Sequence, residues 1–68
     1  MPVLESSVVR EAAYDARDER LEILFTSGER YAYQGVPRDV YEALLAAPSH
    51  GRYFTAHIRD HYPYRRLG

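Results

Sequence analysis

The stretch LEILFTSGERYAYQG, residues 21–35, decides the fold. In its first part, LEILF (21–25), apolar side chains occupy every second position, which is typical of a β-strand. The residues TSG (26–28) favour a turn, and ERYAYQG (29–35) is again rich in strand-forming tyrosine. The stretch therefore predicts a β-hairpin.

The length of the hairpin loop decides where the tyrosines point. A two-residue loop would place Leu24 opposite Tyr31 and turn both tyrosines away from the apolar face. A three-residue loop, 26–28, would place Ile23 opposite Tyr31, with Gly28 in the left-handed position of a bulge. We favour the longer loop because it separates apolar from polar residues, as a half-covered antiparallel sheet requires. It predicts that the tyrosine pair lines the core.

The remaining elements follow from changes of period. SSVVREAAYD (6–15) favours a first strand, and ARDER (16–20) is a polar turn. VPRDVYEALLAAP (36–48) and SHGRYFTAHIRDHY (49–62) have helical spacing. We expect an α+β fold of order β-β-β-α-α, in which a three-stranded antiparallel meander is followed by two helices packed on one face.

Local signals mark the ends of the two helices. Pro37 suits the first position of the first helix, whose apolar stripe is centred on Leu44. Ser49 is a good N-cap for the second helix, and Phe54 and Ile58 lie one turn apart on it. Residues 1–68 form one domain, with its core over 6–62 and a short basic tail at 63–68.

Composition narrows the class of protein. The chain has no cysteine, which excludes a disulfide framework and a thiolate metal site. The opening MPVLESS resembles no signal peptide, and no stretch approaches the ~20 apolar residues of a membrane span, so we expect a cytoplasmic protein without a membrane partner. The net charge is −1, but residues 1–30 carry −3 and residues 50–68 carry +3. Every basic residue of the chain is an arginine.

Two groups of residues are candidate ligand sites. Tyr31 and Tyr33 suit base stacking, as in sheet-based RNA binders, or core packing, which the hairpin register favours. SHGR (49–52) suits an anion at a helix start, or a simple cap with a glycine that lets the helices approach. Arg59 would extend a phosphate track, or belong to a solvated basic face. The candidate RNA-binding residues are therefore Tyr31, Tyr33, Ser49, His50, Gly51, Arg52, Tyr53 and Arg59.

Metal binding and catalysis have weaker support. His57 and His61 are four residues apart, but Asp60 lies off their face, so we expect neither a metal nor another cofactor. No nucleophile stands near a histidine in a recognisable pattern, and a three-stranded sheet offers little concavity for a substrate. We expect a binding module and not an enzyme.

Four motifs, taken together, resemble the KTSC domain, a module named for its place at the C-terminus of some lysyl-tRNA synthetases. They are the hairpin Phe25 to Gly28, Tyr31-Ala32-Tyr33, Val36-Pro37 and the segment SHGRYF (49–54), and the resemblance spans residues 6–62. It departs at His50 and Arg52, where the family often has lysine. The resemblance implies the fold above and, through the synthetase neighbour, RNA as a partner.

Two functions from different classes remain open at this point. The first is a small RNA-binding module that holds phosphates at the start of the last helix. The second is a protein-interaction module or homodimer that uses the exposed face around Leu24 and Ala32, or an edge strand of the sheet.

Overall fold

The computed structural model describes residues 8–67. Four strands and two helices follow one another along the chain, and the strands form one antiparallel sheet in sequence order. The elements are β1 (Val9–Asp15), β2 (Arg20–Phe25), β3 (Arg30–Tyr33), α1 (Arg38–Ala46), α2 (His50–His57) and β4 (Tyr64–Arg66). The α+β class is confirmed, and a fourth strand is added to the predicted meander.

The β2–β3 hairpin has the predicted three-residue loop. Ile23 pairs with Tyr31, and Leu21 pairs with Tyr33. Gly28 adopts a φ of +96°, a left-handed conformation that side-chain-bearing residues rarely adopt. The tyrosines therefore share a face with the apolar side chains of β2, and Tyr33 is buried with 4% of its surface exposed.

Strand β1 contains a bulge that corrects its side-chain pattern. Val9 pairs with Phe25 and Glu11 pairs with Leu24, so Arg10 is an extra residue on β1. In a regular strand without the bulge, Val9 and Ala12 would point to opposite faces, because they are three residues apart and side chains alternate. With it, both are fully buried in the core. The first two residues of the predicted strand 6–15 lie outside the described residues.

Helix α1 packs the predicted apolar stripe on the sheet. Leu44 is fully buried, and Val40, Tyr41 and Leu45 pack against the core. Pro37 is the N-cap and not the first helical residue, since its ψ of 151° is extended.

Helix α2 is shorter than the predicted helix 49–62. Ser49 caps it as predicted, and Phe54 and Ile58, which lie one turn apart, are both buried. It ends at His57, because the chain must turn back toward β3, and Asp60 takes a left-handed φ of 66° in that turn. Arg59 consequently lies in the turn and not on a continuous helical face with Arg52.

The predicted basic tail is a strand. Tyr33 pairs with Tyr64, Ala32 with Arg65 and Tyr31 with Arg66. Strand β4 therefore covers the β3 edge, which a three-stranded meander would have left open to a partner.

A single cluster holds the sheet and helices together. Its buried members are Val9, Ala12, Leu21, Ile23, Tyr33, Val36, Leu44, Phe54 and Ile58. The hydroxyl of Tyr14 donates to the carbonyl of Val36 over 2.6 Å and ties β1 to the entry of α1. Within residues 8–67, neither helix has the length and hydropathy needed to cross a membrane.

Candidate binding groove

A groove of about 450 Å³ opens between the β2–β3 hairpin, β4 and the end of α2. Its wall combines aromatic rings with short hydroxyl side chains and three charged groups. The lining residues are Val8, Phe25, Thr26, Ser27, Glu29, Tyr31, Tyr33, Phe54, Thr55, Arg59, Asp60 and Tyr64. This volume corrects the expectation that so small a sheet offers little concavity, and β4 supplies the missing wall.

Five aromatic rings form a continuous surface along the groove. Phe54 lies at the base, where its ring makes edge contacts with Phe25 at 5.3 Å and with Tyr33 at 5.5 Å between centroids. Tyr64 leans over Tyr31 and Tyr33 at 5.4 and 5.6 Å. Because 58% of Tyr64 is exposed, the outer part of this surface is open to a flat ligand.

The hydroxyl of Tyr33 stays protonated at neutral pH. Burial, with smaller contributions from the phenols of Tyr31 and Tyr64, raises the pKa of Tyr33 to about 12. The guanidinium of Arg59 opposes this rise. Among the described residues no group hydrogen-bonds this hydroxyl, so it remains available as a donor.

The charged groups at the groove differ in whether they have an ion-pair partner. The carboxylate of Glu29 pairs with Arg66 at 3.3 Å and accepts a hydrogen bond from the hydroxyl of Ser27 at 3.2 Å. No carboxylate of residues 8–67 lies within ion-pairing distance of the Arg59 guanidinium. Arg59 is therefore the cation that the groove can offer to an anionic ligand.

The structure divides the predicted site residues into two groups. Tyr31, Tyr33 and Arg59 lie together in the groove. The other five lie at the start of α2 and are absent from the groove wall: Ser49, His50, Gly51, Arg52 and Tyr53. The groove therefore does not join the start of α2 and Arg59 into one continuous surface.

The start of α2 is largely occupied by its own side chains. The hydroxyl of Ser49 accepts from the amide of Arg52 at 3.3 Å. The His50 ring turns toward α1, with Nε2 at 3.4 Å from the carbonyl of Leu45. Tyr53 packs on His57 with ring centroids 4.5 Å apart. Of this group, the exposed guanidinium of Arg52 is the one free to meet an anion from solvent.

Sequence reasoning missed the groove residues that other elements bring in. Phe54 was named for its helical spacing and its motif but not as a site residue, and Tyr64 and Asp60 were assigned no place in a site. The available signal was the run Tyr62-Pro63-Tyr64, since the residue before a proline favours an extended backbone and tyrosine favours strands. Among the described residues, no group of three or more His, Cys, Asp or Glu side chains is placed to hold a metal ion.

Comparison with known proteins assigns the fold to a family. A family model for the KTSC domain matches residues 5–62. The chain belongs to the KTSC domain family. The crystal structure of a KTSC domain protein from Yersinia pestis superimposes with a TM-score of 0.95 at 31% identity, covering 98% of this chain and 94% of that one.

Other relatives show two settings for KTSC sequences. An uncharacterized protein of Stutzerimonas stutzeri is 43% identical over 65 residues, covering 94% of this chain and 92% of its own length. A lysine–tRNA ligase of Nostoc punctiforme is 36% identical over 63 residues, which cover 93% of this chain but 11% of the ligase. A KTSC sequence thus accounts for nearly all of a small protein in one case and for a small segment of a tRNA-charging enzyme in the other.

Proposed function

We propose that this KTSC protein is a non-catalytic module that binds single-stranded RNA weakly in its aromatic groove. The observation that carries the proposal is the exposed ring of Tyr64 beside Tyr31, with Arg59, which has no ion-pair partner within residues 8–67, on the same wall. Single-stranded nucleic acids are bound by this combination of stacking surfaces and cations.

The groove chemistry favours binding over catalysis. The hydroxyl of Ser27 donates to the carboxylate of Glu29, which also pairs with Arg66. The described residues of the groove wall include no histidine that could serve as a general base for a serine or threonine nucleophile. The similarity to a segment of a lysine–tRNA ligase supports RNA as the ligand class, because that enzyme by its name acts on tRNA.

The site at the start of α2 enters the proposal as a second phosphate contact at Arg52. A single strand that stacks on Tyr64 and reaches Arg59 and Arg52 would neutralise about two phosphates. For single strands the affinity then falls by about sevenfold between 50 and 200 mM salt. The net charge of −1 keeps the affinity low, so we expect dissociation constants in the range of about 10 to 100 μM.

The test is a ¹⁵N–¹H NMR titration of the full chain with a short mixed-sequence RNA at low and physiological salt. We expect shifts at β3, β4 and the turn around Arg59 that shrink as salt rises. Tyr64→Ala removes the outer stacking ring, and we expect an affinity loss of at least about fivefold. Arg59→Glu should reduce binding further, and Arg38→Glu, on the surface of α1 and already paired with Glu42, is the matched charge control.

The variants separate the two sites. Loss of binding in Arg59→Glu with little change in Arg52→Glu places the ligand in the groove, and the reverse result places it at the start of α2. An RNA titration that shifts no resonance at low salt would overturn the proposal altogether.

A further inference from the structure

The face of the sheet opposite the helices is a separate surface. We call it the open face, and its side chains are Glu11, Ala13 and Asp15 from β1, Arg20, Glu22 and Leu24 from β2, Arg30 and Ala32 from β3, and Arg65 from β4. Within residues 8–67, both helices pack on the other face, where they meet the buried residues of β1 and β2. Each strand contributes alternate residues to this open face.

Charge on the open face changes steadily from one edge to the other. Strand β1 carries the carboxylates of Glu11 and Asp15 and, at the bulge, the exposed guanidinium of Arg10. The Asp15 carboxylate also accepts hydrogen bonds from the amides of Arg17 and Asp18 at 3.0 and 3.4 Å. Strand β2 is neutral, because Arg20 and Glu22 pair with each other at 3.3 Å. Strands β3 and β4 carry the guanidiniums of Arg30 and Arg65, which have no ion-pair partner among the described residues. The β1 edge therefore carries a net negative charge, and the β3–β4 edge is basic.

The middle of the open face alternates short and long side chains. Ala13 and Ala32 lie in one row across the sheet, with Glu22 between them and Arg65 at its end. Ala32 is only 2% exposed, since it lies between the longer side chains of Glu22 and Arg65. The prediction that Ala32 is exposed is therefore wrong.

We infer that two copies of this chain associate through their open faces around a two-fold axis parallel to the strands. That axis reverses the strand order, so β1 of one copy lies over β4 of the other and β2 lies over β3. The acidic edge of each copy then meets the basic edge of its neighbour. An axis across the strands would instead place β1 over β1 and bring carboxylates together, so charge complementarity selects the first arrangement.

The rows of the sheet give the contact its register. Ala13 and Arg65 lie at opposite ends of the same row, so the axis places Ala13 of the second copy over Arg65. Glu11 and Asp15 of that copy lie about 6.7 Å to either side along the strand. The short alanine leaves room for the guanidinium, and two carboxylates flank it. The same contact forms twice, once at each edge.

The size of the face sets the strength of the association. Four strands at ~4.8 Å spacing and about five residues of length give roughly 320 Å² a copy, or about 650 Å² in total. Stable protein interfaces bury at least about 1,200 Å², so this dimer is weak. We expect a dissociation constant of hundreds of micromolar at low salt, and dispersal to monomers as salt screens the exposed charges.

Sedimentation equilibrium of the full chain tests the association directly. At about 25 mM salt we expect the mean mass to rise between roughly 20 μM and 1 mM protein, and at about 300 mM salt we expect monomers at the same concentrations. A chain that is monomeric throughout the low-salt series would overturn the inference.

Charge reversal tests the axis. Glu11→Arg and Arg65→Glu should each weaken self-association at least fivefold, because each creates two repulsive contacts in its own dimer. An equimolar mixture of the two variants should associate more strongly than either variant alone. One edge of the mixed pair keeps the native contact, and the other again pairs opposite charges at positions 11 and 65, with Asp15 as a like-charged neighbour. Arg17→Glu, in the exposed β1–β2 turn, is the matched control and should associate as the wild type does.

Folding of each variant is checked by its urea midpoint and spectral dispersion. A mixture of folded variants that stays monomeric would overturn the two-fold arrangement even if the wild type dimerises. Because Arg65 does not line the groove, RNA binding by Arg65→Glu should match the wild type, which separates this inference from the proposed function.

Discussion

Replacing Tyr33 by phenylalanine should change how stability depends on pH. The phenol lies in the groove wall with 4% of the residue exposed, and its pKa is about 12 in the folded chain. In the unfolded chain a tyrosine ionises near pH 10. Between these values the unfolded state has released a proton that the folded state retains. The free energy of unfolding therefore decreases as the pH rises from 10 to 12.

The magnitude follows from the size of the shift. Two pKa units correspond to a limit of about 2.7 kcal/mol, and screening by water in the open groove reduces this to about 1–2 kcal/mol. At pH 11, halfway through the window, the loss should be about 1 kcal/mol. Phenylalanine keeps the ring contacts with Phe54 and has no proton to lose, so the Tyr33→Phe variant lacks this loss.

Urea unfolding followed by circular dichroism at pH 8 and pH 11 measures the effect. The quantity to compare is the stability lost between the two pH values, wild type against Tyr33→Phe, which cancels contributions common to both. Tyr53→Phe removes a half-buried phenol that does not contribute to the pKa shift of Tyr33, and it controls for the loss of a hydroxyl. Equal losses in the wild type and Tyr33→Phe would refute the reasoning.

Two further variants test the remaining features of the fold. Ending the chain at Pro63 removes β4 and the backbone hydrogen bond from the Leu67 amide to the Arg30 carbonyl. We expect the free energy of unfolding, measured by urea titration, to fall by about 2–4 kcal/mol. An unchanged urea midpoint would mean that β4 does not pair in solution. Ser49→Ala should cost about 0.5–1 kcal/mol, toward the low end for a cap because the Oγ–amide distance is 3.3 Å, whereas Ser49→Gly should lose only a few tenths; equal costs would argue against the cap.

Local patterns predicted the hairpin and the helices well. The register of β2 and β3 followed from Gly28 and from the separation of apolar and polar residues, and both depend on neighbours in sequence. The cap at Ser49 and the burial of Phe54 and Ile58 are likewise local to one helix. The similarity to the KTSC family, carried by motifs in these same segments, is confirmed by the family match over residues 5–62.

The features that the sequence did not predict depend on distant partners. The segment YRR, residues 64–66, shows no alternation of apolar and polar residues. It is a strand because Tyr64 pairs with Tyr33 across the sheet. The bulge at Arg10 serves the packing of Val9, and α2 stops at His57 so that the chain can return to β3. The groove depends on β4 and on that return, so its residues had no common signal in the sequence.

The position of β4 has a consequence for the order in which the molecule assembles. The pairs of the β2–β3 hairpin close short loops, whereas the pairing of Tyr31 with Arg66 must span both helices. Long loops cost more entropy to close, so β4 docks after the hairpin and is the first strand to detach. The groove wall at Tyr64 therefore exists only in the fully assembled molecule. A ligand stacked there stabilises the docked strand, and detachment of β4 in turn limits how long that ligand stays bound.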